Sequence, residues 1–373
     1  MLTCSCCNQA YPETEPRWRC RCGAYLLLQS DRMFTRDALS GRPLTLWRYR
    51  EALGIERDDS IVSLDEGFTP LVADTLFGQP VLLKLDQLNP TGSFKDRGST
   101  VMISKLKEWG VPEIVEDSSG NAGASVAAYA RRAGIAARIF VPASTSAGKT
   151  AQIRMYGADL VRVDGSREDT TRAALAAAGQ TFYASHNWSP YFVAGLKTLA
   201  YEICEQQDWQ APDWVVAPVG GGSLVLGLYL GFADLVRAGI IARMPRIAAV
   251  QAAVCAPVCE AWQQRLHEVP EVDRQETAAE GIAIARPVKG ESILKALYQS
   301  GGVALTVSEE EIWATAHLLA EKGIYVEPTS AAAPAAVRQL VEQGLAGTGS
   351  RVVVELTGMG LKATDKFLAH LGG

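Results

Sequence analysis

The stretch Asn89-Pro90-Thr91-Gly92-Ser93-Phe94-Lys95-Asp96-Arg97-Gly98 decides how the rest of the chain is read. It follows Val81-Leu82-Leu83-Lys84-Leu85, an apolar run with the composition of a strand. Asn-Pro then punctuates the chain, and a small polar residue stands where a helix cap is expected. The pattern beyond predicts a helix through Val101-Met102-Ile103 toward Trp109 that stops at Gly110. Lys95 therefore falls in a first helical turn. Unpaired amides at a helix N-terminus create a local positive field. An ammonium there gives up its proton more readily than a solvated one, and the neutral amine is the form that attacks an aldehyde. A solvated helix lysine fits the same ten residues, so the other segments carry the decision.

Gly220-Gly221-Gly222-Ser223 follows the apolar run 214–219 and opens an apolar helix over 224–236. Glycines allow a tight turn and close backbone approach, and amides at a helix start can hold a phosphate dianion. No Lys-Ser/Thr pair follows, so this is not a nucleotide P-loop, and the dinucleotide glycine pattern is absent there. Ser118-Ser119-Gly120-Asn121-Ala122-Gly123 lies between another strand and helix. Such an entry can offer amides and hydroxyls to a carboxylate, although a plain helix capped by Ser118 or Ser119 also accounts for it. Thr357-Gly358-Met359-Gly360-Leu361-Lys362 ends the last strand expected, 351–356.

Between 95 and 185 strands and helices alternate: a strand over 113–116, a helix over 121–133, strands over 137–141 and 159–163, helices over 149–156 and 169–178. The pattern resumes with helices over 196–203, 312–322 and 331–345 and a strand over 247–250. Alternation at this spacing predicts parallel strands joined by helical crossovers, in sheets covered on both faces.

The chain has 373 residues, enough for two or three domains. Its 48% hydrophobic and 21% charged content is that of a globular protein, and a net charge of −5 argues against nucleic acid as the main partner. No apolar run approaches the roughly 20 residues needed to span a membrane. The N-terminus lacks the basic and apolar regions of a signal peptide, so a cytoplasmic location is expected. Five of the eight cysteines fall within the first 22 residues. In a reducing compartment such crowding points to metal before disulfides. Cys4-x-x-Cys7 and Cys20-x-Cys22-Gly23 can close a tetrahedral thiolate site for a structural zinc, with no open position for substrate. Free thiols, a competing Cys6, and a nucleic-acid ribbon using Arg17, Arg19 and Arg21 are the other accounts.

The decapeptide around Lys95 resembles the cofactor-lysine segment of pyridoxal-phosphate enzymes of the tryptophan-synthase-β fold type (fold type II), the threonine synthases in particular. Glu66-Gly67-Phe68-Thr69-Pro70-Leu71 resembles that family's "E-G-x-T-P-L" entry segment, and Thr357 to Lys362 its "T-G-x-G-L-K" signature. Ser185-His186-Asn187-Trp188-Ser189-Pro190, Gly195-Leu196-Lys197-Thr198 and Glu327-Pro328-Thr329-Ser330-Ala331-Ala332 match further family segments, and the cysteine-rich start is similar to the N-terminal extension of many members.

The resemblance implies two doubly wound α/β lobes with parallel sheets, the reactive site between them, and a small N-terminal zinc knuckle over 1–30. It makes 31–94 with 186–373 a large cofactor-binding domain and 95–185 a small one. Lys95 is then the catalytic residue and forms a Schiff base with pyridoxal 5'-phosphate. Gly220, Gly221, Gly222 and Ser223 cradle the cofactor's phosphate, Asn121 meets its phenolic oxygen and Thr357 its ring nitrogen. Ser118, Ser119 and Gly120 bind the substrate carboxylate. The activity implied is that of a lyase acting on a small amino acid, O-phosphohomoserine and water giving threonine and phosphate, in a homodimer. Two positions depart from the family: Ala122 stands where threonine is common, and the glycine triplet where asparagines are common. Those changes keep two alternatives open: a serine/threonine dehydratase, or a β-replacement enzyme on an O-activated serine. A catalytically silent, partner-binding relative is the third.

Overall fold

Three sheets organise the strands of the computed structural model, which describes residues 1–273 and 275–372. The chain divides into two compact units, Met1–Phe68 with Asn89–Thr198, and Thr69–Leu88 with Leu199–Gly373.

In the first unit a four-stranded parallel sheet runs in the order Asp159–Val163, Ala136–Pro142, Glu113–Glu116, Phe182–Tyr183. Helices Asn121–Ala133, Ala147–Met155 and Arg167–Ala177 supply the crossovers that parallel pairing needs. The alanine-rich helix Asn121–Ala133 ends on Gly134, whose φ of 73° is left-handed and closes the last turn. The helix Arg167–Ala177 starts with a reciprocal capping box between Ser166 and Asp169. A small antiparallel sheet, Ala10–Tyr11, Leu2–Cys4, Leu26–Leu28, carries the cysteine-rich start. Packing explains two glycines of the quoted segments. A Cβ on Gly195 would stand 1.9 Å from the Arg97 carbonyl oxygen, and one on Gly98 would stand 2.6 Å from the Phe192 ring. Only backbone fits at that crossing.

In the second unit the sheet has six strands, ordered Val303–Val307, Arg246–Ala252, Trp214–Pro218, Val352–Glu355, Gln79–Lys84, Leu71–Leu76. All neighbours are parallel except the last pair, a hairpin through Phe77 and Gly78. Its apolar face packs Val216, Val250, Val354 and Leu83 against Ile312, Leu319, Val337 and Leu340. Each such side chain contributes about 1.5–3 kcal/mol when fully buried.

The single helix expected over 331–345 is two helices, Pro328–Ala335 and Val337–Glu342. Pro334 has no N–H to give to the fourth residue back, and the helix breaks two residues later. The strand Val303–Val307 and the helix Gly290–Ser300, which the sequence reading passed over, complete this sheet's edge. Among the described residues no helix is long and apolar enough to cross a membrane.

Candidate functional site

Lys95 is the first residue of the helix Lys95–Glu108 and is half-buried. Its Nζ lies 4.6 Å from the centroid of the Phe94 ring and 5.8 Å from that of Phe192. The expected small polar cap is absent. Phe94 occupies the cap position without a side-chain bond, and the Ser93 hydroxyl is buried with no partner among the described residues. Asp96 closes the turn instead. Its carboxylate accepts from the Thr91 amide at 2.7 Å, the Thr91 hydroxyl at 2.5 Å and the Ser125 hydroxyl at 2.6 Å. Burial pushes the Asp96 carboxyl up to about 6, against the pull of those donors. Next to it Arg97 is fully buried and donates to the Thr198 hydroxyl at 3.1 Å. The Gly67 amide donates to Asn89 Oδ1 at 3.0 Å, which ties the Glu66-Gly67 segment to the start of the decapeptide. Glu66 accepts from Trp47 Nε1, the Ser63 and Tyr129 hydroxyls and the Leu64 amide, all within 3.1 Å. It is a structural knot that the sequence reading left without partners.

The plain cap by Ser118 or Ser119, the alternative account of this helix entry, is also absent from the helix Asn121–Ala133. Gly120 holds the cap position, and neither Ser118 nor Ser119 caps the helix. Ser118 Oγ accepts from the Gly120 amide at 3.3 Å instead. The reason is steric: the loop folds down onto Gly123, where a Cβ would stand 1.9 Å from the Ser118 carbonyl oxygen. The first turn of this helix therefore presents its amides without a side-chain cap, flanked by two serines. Glu116, just before the loop, is fully buried, and its Oε1 stands 2.6 Å from Nδ1 of His186.

In the second unit Gly222 has φ 91°, and a Cβ there would stand 2.3 Å from Ile293 Cδ1. The helix Ser223–Arg237 starts behind it with no side-chain cap. Gly220 abuts backbone: a Cβ would stand 2.8 Å from the Gly281 carbonyl oxygen. The Gly281 amide donates to Thr329 Oγ1 at 3.1 Å, and the Thr357 amide donates to Ser330 Oγ at 2.8 Å. The Glu327 amide donates to the Gly358 carbonyl at 3.0 Å. One segment, Glu327 to Ser330, thus braces both the glycine loop and the end of the last strand. The Thr357 hydroxyl is buried and has no partner among the described residues. A buried hydroxyl left unpaired costs about 1–3 kcal/mol, so its position suits an acceptor supplied by a ligand. The unpaired hydroxyl and the glycine cradle fit, respectively, a ring nitrogen and a phosphate.

At the N-terminus the sulfurs of Cys4, Cys7, Cys20 and Cys22 lie within 4.8 Å of one another. Cys4 Sγ accepts from the Cys6 and Cys7 amides at 3.4 Å each, and Gly23 turns the second pair with φ 94°. Cys6 is exposed and outside the cluster. Tyr11 places its hydroxyl 3.1 Å from Cys20 Sγ, a contact no spacing rule signals. Cys204, Cys255 and Cys259 are buried, as their apolar surroundings imply.

Residues 62–358 match the family described as pyridoxal-phosphate dependent enzyme. The chain is 36% identical to the threonine synthase of Methanocaldococcus jannaschii, covering 97% of this chain and 93% of that one. It is 37% identical to the threonine synthase of Mycobacterium tuberculosis, covering 88% and 91%. Among solved structures, a threonine deaminase from T.th. superposes with a TM-score of 0.65 at 26% identity, covering 78% of this chain and 92% of that one. Maize serine racemase, at 23% identity, shares the fold with a TM-score of 0.68 over 82% and 94% of the two chains. These are α/β enzymes of fold type II with parallel sheets, as the resemblance implied. With the motifs, the sheets and the extent of the matches in agreement, this chain belongs to the pyridoxal-phosphate dependent enzyme family and is a threonine synthase-like lyase of that family.

Proposed function

We propose that this chain converts O-phosphohomoserine and water into threonine and phosphate. The observation that carries the reading is 34–37% identity to threonine synthases over most of the chain. When bound, pyridoxal phosphate supplies an aldehyde for an amine and a conjugated ring that draws electrons from the substrate's α-carbon. In this proposal Lys95 holds the cofactor and then takes the substrate's α-proton on Nζ. Gly220, Gly221, Gly222 and Ser223 offer backbone amides to the cofactor's phosphate, and Thr357 donates its buried hydroxyl to the ring nitrogen. A hydroxyl there, unlike a carboxylate, does not keep that nitrogen charged, which favours elimination and replacement over transamination. Asn121 orients the phenolic oxygen, and Ser118, Ser119 and Gly120 receive the substrate carboxylate. The functional division of the chain, 31–94 with 186–373 for the cofactor beside a small domain of 95–185, belongs to the same proposal. So do a homodimer, which the family resemblance implies, and a cytoplasmic location.

The test is a substrate panel on the purified, cofactor-loaded protein. Phosphate and threonine in equal amounts from O-phosphohomoserine support the proposal. Oxo acid and ammonia from serine or threonine alone would replace it with a dehydratase, a reading that Ala122 and the glycine triplet keep in view.

The cysteine cluster is read as a structural zinc site held by Cys4, Cys7, Cys20 and Cys22. A tetrahedral zinc with bonds of about 2.3 Å sets its sulfurs about 3.8 Å apart. The Cys4–Cys22 and Cys7–Cys20 separations, 3.4 and 3.6 Å, are close to that. Metal analysis should find about one zinc per chain. Fully active, zinc-free protein with an intact N-terminal sheet would remove the assignment.

A further inference from the structure

Two residues that fasten the cysteine-rich start to the rest of its unit, Glu13 and Trp18, lie in the loop 8–19 between the two cysteine pairs. The Glu13 carbonyl accepts from Trp109 Nε1 at 2.8 Å. Trp109 ends the helix Lys95–Glu108, its amide donating to the Lys105 carbonyl at 2.9 Å. The Glu13 side chain, Leu28 and Tyr191 meet over Gly54: a Cβ there would stand 3.1 Å from Glu13 Oε2, 2.8 Å from Leu28 Cδ2 and 3.2 Å from Tyr191 Cε1. Lys105, on the Lys95 helix, donates to the Gly54 carbonyl at 3.1 Å, and the Trp109 and Tyr191 rings meet edge to face at 5.4 Å. The Trp18 ring meets Tyr183 edge to face at 5.0 Å and Trp188 at 5.6 Å. It packs on the apolar cluster of Val115, Phe140, Ala174 and Tyr183. Both fastenings lead toward Lys95. Glu13 holds the far end of the helix that Lys95 begins. Trp18 holds 183–188, and the helix Pro190–Glu205 that follows carries Phe192, which packs on Gly98 with its ring centroid 5.8 Å from Lys95 Nζ.

We propose that Trp18 and Trp109 are positioning residues that tie the four-cysteine site to the Lys95 helix, so that zinc and the cofactor strengthen each other's binding. The two states are a docked and a released loop 8–19. When docked, the loop gives Trp109 its acceptor and covers Tyr183 and Trp188 with the Trp18 ring. When released, the Trp109 N–H and the Glu13 carbonyl turn to water, and 183–191 loses its cover. Cys7 and Cys20, at the two ends of the loop, have their sulfurs 3.6 Å apart. Metal bound there fixes both ends and removes chain entropy that docking otherwise costs. The cofactor favours the same state, because its binding draws on a Lys95 already held in place. Linkage makes the coupling equal in both directions. The inference rests on the proposed readings of the four cysteines as a zinc site and of Lys95 as the cofactor lysine.

The test uses the full-length protein. Removing zinc with a chelator should weaken pyridoxal-phosphate binding about tenfold. Removing the cofactor should weaken zinc binding, read by chelator competition, by the same factor. Trp109→Phe keeps the ring and removes the N–H, and Trp18→Leu removes the two edge-to-face contacts. Each variant should keep its zinc and lower the factor to about threefold, and the double variant should bring it to about one. A module that only stabilises the N-terminus gives a factor of one throughout. A factor of one in the unaltered protein, or an undiminished factor in either variant, overturns the proposal. If Trp18→Leu fails to fold, Trp109→Phe decides alone. Failure to take up pyridoxal phosphate sinks the proposed function, and hydrogen exchange then judges the docking. Zinc removal should speed exchange across 105–109 and 183–191 and leave the strand Arg246–Ala252 unchanged; unmoved exchange in the first two segments overturns the inference. Failure to take up zinc sinks the zinc assignment. Trp109→Phe should then weaken cofactor binding about threefold by itself, and equal binding overturns the positioning role.

Discussion

The backbone amide of Thr357 donates to Ser330 Oγ at 2.8 Å, while the Thr357 hydroxyl is buried with no partner among the described residues. Thr357→Val removes that hydroxyl and keeps the shape. Without cofactor the variant should be as stable as the parent, or more stable by about 1 kcal/mol, because a desolvation cost disappears. Cofactor affinity should fall about tenfold, the worth of one hydrogen bond. Urea unfolding with and without pyridoxal phosphate separates the two effects. Equal cofactor affinity in both proteins would show that the hydroxyl faces nothing the cofactor offers.

Gly123 and Gly222 carry their loops, and Gly120 does not. Gly123→Ala drives a methyl into the Ser118 carbonyl, and Gly222→Ala meets both a left-handed φ of 91° and Ile293. Each should cost about 2–3 kcal/mol and lower the melting temperature by several degrees. A Cβ on Gly120 has no atom within 4 Å, so Gly120→Ala should stay within about 0.5 kcal/mol. Thermal melts of the three variants check the ranking.

Lys84 and Glu202 form a fully buried ion pair 2.9 Å apart, and Lys84 also donates to the Thr69 carbonyl at 2.7 Å and to Gln206 at 2.9 Å. Lys84→Met leaves Glu202 as a buried charge without its counter-ion and should cost about 3–5 kcal/mol. Adding Glu202→Gln to that variant should recover part of the loss. The exposed pair Arg50–Asp58, at 2.6 Å, should cost under about 1 kcal/mol when Arg50 is replaced by Ala. Chemical denaturation of the variants supplies the comparison; a Lys84→Met cost as small as the surface pair's would refute the burial argument.

Asp96 makes stability fall as pH rises. Its folded value of about 6 lies above the ordinary 3.8, so the folded chain binds the proton more tightly than the unfolded one. The contribution is complete below about pH 4, declines between about 4 and 6, and is gone above. The two-unit gap corresponds to about 3 kcal/mol. Asp96→Asn should therefore flatten the stability profile across that window, measured by denaturant unfolding from pH 4 to 7. An unchanged slope would mean that the three donors from Thr91 and Ser125 cancel the burial.

Local signals in the chain reached a long way here. The strands Glu113–Glu116 and Asp159–Val163 and the helix Asn121–Ala133 lie where apolar runs, alternation and glycine stops put them. Those signals are carried by neighbours in sequence, and so is the spacing that brings Cys4 with Cys7 and Cys20 with Cys22. The small polar cap expected before Lys95 was misread for the same reason, and the alternative cap at 118–119 is likewise not formed. Ser93, Ser118 and Ser119 have the right chemistry for caps, but Asp96 closes one turn and Gly123 draws the other loop down.

What the folded molecule alone decided is the partner of each buried polar group. Glu116 meets His186, 70 residues on, because Val115 pairs in parallel with Tyr183 and carries both strand ends to one place. Lys84 meets Glu202 across 118 residues, and Thr357 rests on Ser330. Periodicity, caps and turns arise within a few residues of chain, so the order of amino acids settles them; a charge buried in a core takes whatever counter-charge the sheet order brings beside it.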